Sequence, residues 1–227
     1  MKKTVILSIL LVILFISNFL FGEAKTIAIL DFSNNSLVDK DKYASLSKGL
    51  AEIMITELSK LSSLRLVERQ KLNSLIEEMK LSQSGIISED TGIQVGKILG
   101  AQYLVFGSYM ISFNNQIRID VRIVNVETGA TPSAEQITDK VDNLFKIINK
   151  LNEKITANLN IKLSKQEKKL LNSDDFDLDI IAQFSNGLDF EENNNVEDAR
   201  KIYSKILKKE PDFEPAKKRL NAITDLD

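Results

Sequence analysis

Tyr103–Val126 reads YLVFGSYMISFNNQIRIDVRIVNV, and its second half decides the fold. From Gln116 to Val126, Ile117, Ile119, Val121 and Ile123 alternate with Arg118, Asp120 and Arg122. Successive side chains of a strand point to opposite faces, so this spacing predicts a strand with one face in a core and the other in water. Tyr103 to Phe113 reads as a second long strand. Between the two, Asn114-Asn115 tolerates the left-handed geometry of a two-residue hairpin turn.

Upstream of the hairpin, TIAILDF (26–32) is a short β-rich run stopped by Ser33-Asn34-Asn35-Ser36, as expected of a buried strand entering a polar loop. Tyr43, Leu46, Leu50, Ile53, Met54, Leu58 and Leu61 then recur at three and four, the stripe of a helix lying on a sheet. LRLV (64–67) predicts another strand. Two short strands joined by a helix imply a parallel pair with a crossover connection. Leu72, Leu75, Ile76 and Met79 mark a second helix, Ser82 to Ser88 a turn, and residues 89–99 a third helix closed by Gly100. Gly92, Gly96 and Gly100 repeat at four, but Gln94 and Lys97 between them point to close packing on the sheet rather than to a membrane helix.

Downstream, a fourth helix is predicted from about Thr138, with Val141, Leu144, Phe145, Ile148, Leu151, Ile155 and Leu159 facing inward. Residues 162–178 turn rich in Lys and Asp and read as a solvated linker with room for one short helix. In residues 179–227, Gly187, Phe190, Ala199, Tyr203, Ile206 and Pro211 fall at the spacings of one tetratricopeptide unit, followed by a helix over 213–223. A single such unit needs a surface to dock on, since about three repeats make an independent solenoid. The expected fold class is therefore α/β: a mixed sheet in β-α-β-α-α-β-β-α order over 25–161, then a small all-α tetratricopeptide-like unit.

The first residues, MKK followed by TVILSILLVILFISNFLF, have the order of a secretory leader. Cleavage is expected after Gly22 or Ala24, making 1–24 a signal peptide. An uncleaved run would be an inner-membrane anchor. No cysteine follows the leader, so a lipidated form is not expected. Removing Lys2, Lys3 and Glu23 takes the 30 basic and 32 acidic residues to 28 and 31, a balance that disfavours nucleic acid and anionic lipid as partners. The chain has no Cys and no His. It therefore lacks disulfides, the commonest general base, both Ser-His-Asp and Cys-His arrangements, and ordinary zinc ligands.

Taken in order, AILDF (28–32), LVERQKLNSLIEE (66–78), LGAQYLVFGS (99–108) and VRIVNVETG (121–129) resemble the curli secretion channel (CsgG/HfaB) family over about Thr26 to Leu159. The resemblance implies a non-enzymatic envelope protein that acts by assembly or docking, with envelope proteins as partners, among them outer-membrane secretion or assembly components, and with self-association into a homo-oligomer. An alternative is a periplasmic regulator docking on a peptidoglycan synthase or a Tol-type complex. No cofactor, metal or small-molecule substrate is implied. The chain departs from the channel pattern where that family inserts membrane hairpins. Each membrane strand needs about 9 to 11 alternating residues. Here Tyr109 to Gln116 holds a tight turn, and Gly129 to Gln136 is short and contains Pro132. The expected location is the periplasm, peripheral to the outer membrane.

Among individual residues, Arg118, Asp120 and Arg122 on the wet strand face are the leading candidate partner surface. Glu68 and Arg69 at a strand-to-helix junction are the second, although a Glu near a helix N-terminus is also explained by the helix dipole. Asp31 reads as a loop-capping residue. Asp175, Asp177 and Asp179 open like a calcium loop but lack its glycine and closing glutamate, since Ile180 and Asn186 occupy those places.

Overall fold

A computed structural model describes residues 24–79, 88–171 and 176–224. The apolar leader up to residue 23, the turn at 82–87 and Asp175 lie outside the described residues. In chain order the elements are β1 (Lys25–Ile29), β2 (Ser33–Asn34), α1 (Leu46–Leu58), β3 (Leu64–Leu66), α2 (Arg69–Glu78), α3 (Glu89–Ile98), β4 (Tyr103–Ile111), β5 (Gln116–Asn125) and β6 (Ser133–Lys140). A 3-10 turn at Val141–Asn143 leads into α4 (Leu144–Asn158), followed by α5 (Lys165–Leu171), α6 (Leu178–Glu192), α7 (Val196–Lys209) and α8 (Glu214–Thr224).

The strands form one mixed sheet in the order β3-β1-β4-β5-β6, with β2 also pairing to β4. β1 runs parallel to both β3 and β4, as the helical crossover requires, and β4-β5-β6 are antiparallel. Strand parity sorts the side chains. Ile27, Ile29, Val105, Ile117, Ile119, Val121 and Ile123 join the core under α1 and α4. Ala28, Leu30, Leu104, Val124 and Val126 face the other way, against Leu72 and Ile76 of α2 and Val95 of α3.

The local stops follow backbone chemistry. At the end of α3, Gly100 adopts φ +68°, its N–H donates to Lys97 O, and Ala101 N–H donates to Gly96 O at 2.9 Å. That is a Schellman stop, at a position where the left-handed backbone favours glycine. The expected close packing of the α3 glycines is present at Gly96, where an added Cβ would lie 3.1 Å from Val126 Cγ2. The β4–β5 turn differs from the two-residue form. Asn115 N–H donates to Ser112 O, Ser112 N–H donates to Gln116 O, and Asn115 alone of the pair is left-handed, at φ +57°. This is the three-residue loop, a turn followed by a left-handed residue, the hairpin connection next in frequency to the two-residue form.

Three expectations need correction. The element order gains two strands. β2 is a two-residue extension beside β4, and β6 occupies much of the segment expected to be a connection and the start of the fourth helix, so α4 begins at Leu144 instead of near Thr138. Strand β6, SAEQITDK, carries one aliphatic residue on its inward face, Ile137, so no alternation announces it. Its register comes from β5 and from Glu135, which accepts hydrogen bonds from Lys154 Nζ (2.6 Å) and Asn158 Nδ2 (2.9 Å) of α4. The third correction concerns the solvated linker. It does hold a helix, α5, but Leu171 and Phe176 are core residues. Phe176 stands edge-on to Phe145 of α4 and to Phe213 before α8, with ring centroids 5.1 and 4.8 Å apart.

The C-terminal helices share this core. α6 and α7 pack together at Gly187, where an added Cβ would lie 2.5 Å from the Tyr203 ring, with Ala199 and Ile206 buried beside it. Phe190, at one of the repeat positions, stays exposed. The pair lies on α1 by a second close approach, Gly49 against Ser185, so the helical unit docks on the sheet domain of its own chain.

Candidate functional site

Helices α2 and α3 cover only part of their face of the sheet. Beyond them, among the described residues, the strand register sets out partly exposed rows: Phe106 beside Arg122 and Ala134, Ser108 beside Asp120 and Gln136, Met110 beside Arg118 and Thr138. The three residues singled out from the sequence therefore occupy neighbouring rows on one exposed surface. Their side chains are 43%, 37% and 60% exposed for Arg118, Asp120 and Arg122. Arg118 grips Asp120 through Nε (2.8 Å to Oδ2) and Nη2 (2.7 Å to Oδ1), a forked pairing two residues along the strand. Arg122 reaches toward Glu89 at the start of α3, at 3.8 Å. With Arg118 and Asp120 paired to each other and Arg122 near Glu89, the same surface also carries Lys140, next to half-buried Phe106 and Met110. At the end of the same hairpin Phe113 is 83% exposed.

Glu68 and Arg69 separate on folding. Glu68 is exposed and pairs with Lys71 at 3.1 Å. Arg69 is 6% exposed and turns inward. Its Nε and Nη2 donate to the two oxygens of Asp31 at 3.2 and 3.0 Å, and Nη2 also meets Glu192 of α6 at 2.6 Å. Burial opposes the charged guanidinium, but Asp31 and Glu192 outweigh it and raise its proton affinity. Asp31, read as a loop cap, is thus the anchor for this arginine.

Arg69 belongs to a larger ionic seam between the sheet domain and the helical unit. Lys48 of α1 bridges Asp189 and Glu192 of α6, each at 2.5 Å. Arg219 of α8 pairs with Glu191, which also accepts a hydrogen bond from Tyr203 Oη at 3.0 Å. Lys218 Nζ donates to Ser59 Oγ, and Asn73 Nδ2 to Glu192. Sequence reasoning missed this seam. Its signal was Glu52, a lone acid inside the apolar run LAEIMI, with Lys48 one turn before it. Among the described residues no cluster of three or more His, Cys, Asp or Glu side chains is placed to hold a metal ion. No described helix is long and apolar enough to cross a membrane.

Residues 21–117 match the family model of the curli production assembly/transport component CsgG. The CsgG match runs through β1 to the start of β5, and so takes in Asp31, Arg69 and the β4–β5 turn. No curated protein matches the chain. Solved structures similar to it include the LpoB C-terminal domain from Escherichia coli, 16% identical over 53% of this chain and 85% of that one, with a TM-score of 0.40. TolB from Acinetobacter baumannii is 11% identical over 61% of this chain and 29% of its own, with a TM-score of 0.36. The PelC dodecamer from Paraburkholderia phytofirmans gives 12% identity, coverage of 62% and 90%, and a TM-score of 0.35.

Proposed function

We propose that this chain is a non-enzymatic periplasmic protein of the cell envelope that assists secretion or assembly of surface material by docking other envelope proteins. The observation that carries this reading is the set of partly exposed rows of the sheet face where Arg118, Asp120 and Arg122 stand in register beside Phe106 and Met110. The CsgG match over 21–117 and the secretory order of the leader support the envelope setting. The hairpin connections support a protein without membrane hairpins of its own. Phe113–Asn115 is three residues, and β5 and β6 are joined by residues 126–132, whereas a spanning strand needs about 9 to 11. Without His or Cys, the usual nucleophile and base arrangements are missing, which favours a docking role over catalysis. The helices α6 and α7 are read as a tetratricopeptide-like pair whose inner contacts are Gly187 and Tyr203.

A photo-crosslinking residue at position 122, introduced in cells and followed by envelope fractionation, tests this. Adducts with envelope proteins, weakened by Arg118→Glu at unchanged protein level, are the expected outcome. Recovery of a peptidoglycan synthase in the adduct selects the regulator reading over the secretion reading. Retention of the chain in the cytoplasm, or ion conductance by the purified chain in planar bilayers, overturns the proposal.

A further inference from the structure

The seam between α1 and the C-terminal helices holds one acid too many. Among the described residues five carboxyl groups meet there, Asp31, Glu52, Asp189, Glu191 and Glu192, against four cations, Lys48, Arg69, Lys218 and Arg219. Four of the acids have a cation at ion-pair distance: Asp31 and Glu192 share Arg69, Glu192 and Asp189 share Lys48, and Glu191 takes Arg219. Glu52 is the fifth. It is 5% exposed, its Oε2 has no hydrogen-bond partner, and among the described residues no cation lies at ion-pair distance from it. One turn further along α1, Thr56 Oγ1 is buried and equally without a partner. An ionised carboxylate in such a place loses its hydration and gains no direct ion pair, while a protonated one is neutral and leaves the remaining four acids matched by four cations.

We propose that Glu52 is held protonated in this seam, and that loss of its proton loosens the C-terminal helical unit from α1. The groups facing it come from every neighbouring element: Lys48 on its own helix, Asp31 after β1, Arg69 on α2, Asp189, Glu191 and Glu192 on α6, Tyr203 on α7, and Lys218 and Arg219 on α8. Burial is the largest influence on the Glu52 carboxyl and raises its proton affinity. Arg219 and Arg69 pull the other way, Glu191 adds to the rise, Lys218 opposes it, and the net direction is up. Because the folded value lies above the unfolded one, the stability tied to this proton is complete below the ordinary carboxyl range. It is lost as pH rises through the folded value.

The composition makes the effect readable. The chain has no histidine, so apart from the chain's amino terminus no group with an ordinary affinity titrates between about pH 5 and 8. Thermal and denaturant unfolding of the full chain across that range, for wild type and Glu52→Gln, is the test. The wild-type folding equilibrium constant is expected to fall with rising pH, by up to about tenfold per pH unit for one proton, while Glu52→Gln stays flat and exceeds wild type at pH 8. Hydrogen exchange should show protection of α6 and α8 declining over the same range in wild type alone. Should Glu52→Gln fail to fold, the infrared band of a protonated carboxyl in the wild type at neutral pH supplies the readout. Flat wild-type behaviour, parallel curves for the two proteins, or absence of that band overturns the inference.

Discussion

Replacing Arg69 with Met keeps the length of the side chain and removes its charge, and the structure sets the size of the effect. Breaking a fully buried ion pair by deleting one partner costs about 3–5 kcal/mol, whereas exposed pairs are worth about 0–1 kcal/mol. Arg69 itself is buried, but the carboxylates it leaves behind are 32% exposed at Asp31 and 30% at Glu192, and Glu192 keeps Lys48. Partial solvation of both acids therefore brings the expected loss to about 2 kcal/mol. For a chain of this size that lowers the melting temperature by about 4–8 °C. Arg69→Lys should fall between wild type and Met, because an ammonium cannot fork onto both oxygens of Asp31. Circular dichroism melts of Arg69→Met, Glu192→Gln and the double variant give a cycle whose coupling should reach about 1 kcal/mol, since the residues touch across the seam. A single-variant loss within about 0.5 kcal/mol of zero, or an additive cycle, would show that the sheet domain and the helical unit are not joined through this arginine.

Gly49→Ala should destabilise by about 1–2 kcal/mol despite the better helix propensity of Ala. Its Cβ would come within 1.8 Å of Ser185 Oγ and 2.9 Å of Ser185 Cβ, and Ser185→Gly should restore most of the loss in a denaturant titration. Phe176→Ala is expected to cost about 3 kcal/mol by the same assay, because the ring sits edge-on between Phe145 and Phe213. A residue in a solvated linker would show nothing. Tyr109→Phe should lose about 1 kcal/mol, leaving the carbonyl of Tyr43 without the buried hydroxyl that donates to it, with the thermal midpoint as readout.

The parts legible from sequence are those where one local period carries the structure. Ile117 to Ile123 alternating with Arg118 to Arg122 placed β5, its core face and its exposed face, and those same charged residues stand on the surface proposed for docking. The stripe from Leu46 to Leu58 placed α1, and Gly100 placed the end of α3, because a helix stripe and a left-handed stop each need only neighbours in the chain. Strand β6 was not legible. Its inward face offers Ser133, Glu135, Ile137 and Asp139, a pattern with no hydrophobic period, and its extended form depends on backbone pairing to β5 and on Lys154 and Asn158 closing over Glu135.

The seam is the clearest division between what the chain states locally and what folding adds. The sequence by itself determined that Glu52 is an acid in an apolar stretch of a helix, that Asp31 follows the first strand and that Arg69 stands at a strand-to-helix junction. Only the tertiary structure decided that Arg69 turns inward to Asp31 and Glu192 while Glu68 stays in water, and that Glu52 is the acid without a direct partner. Charge pairing depends on distances of a few ångströms between residues more than a hundred positions apart, and those distances are set by the packing of α6 and α8 on α1, which no local period encodes.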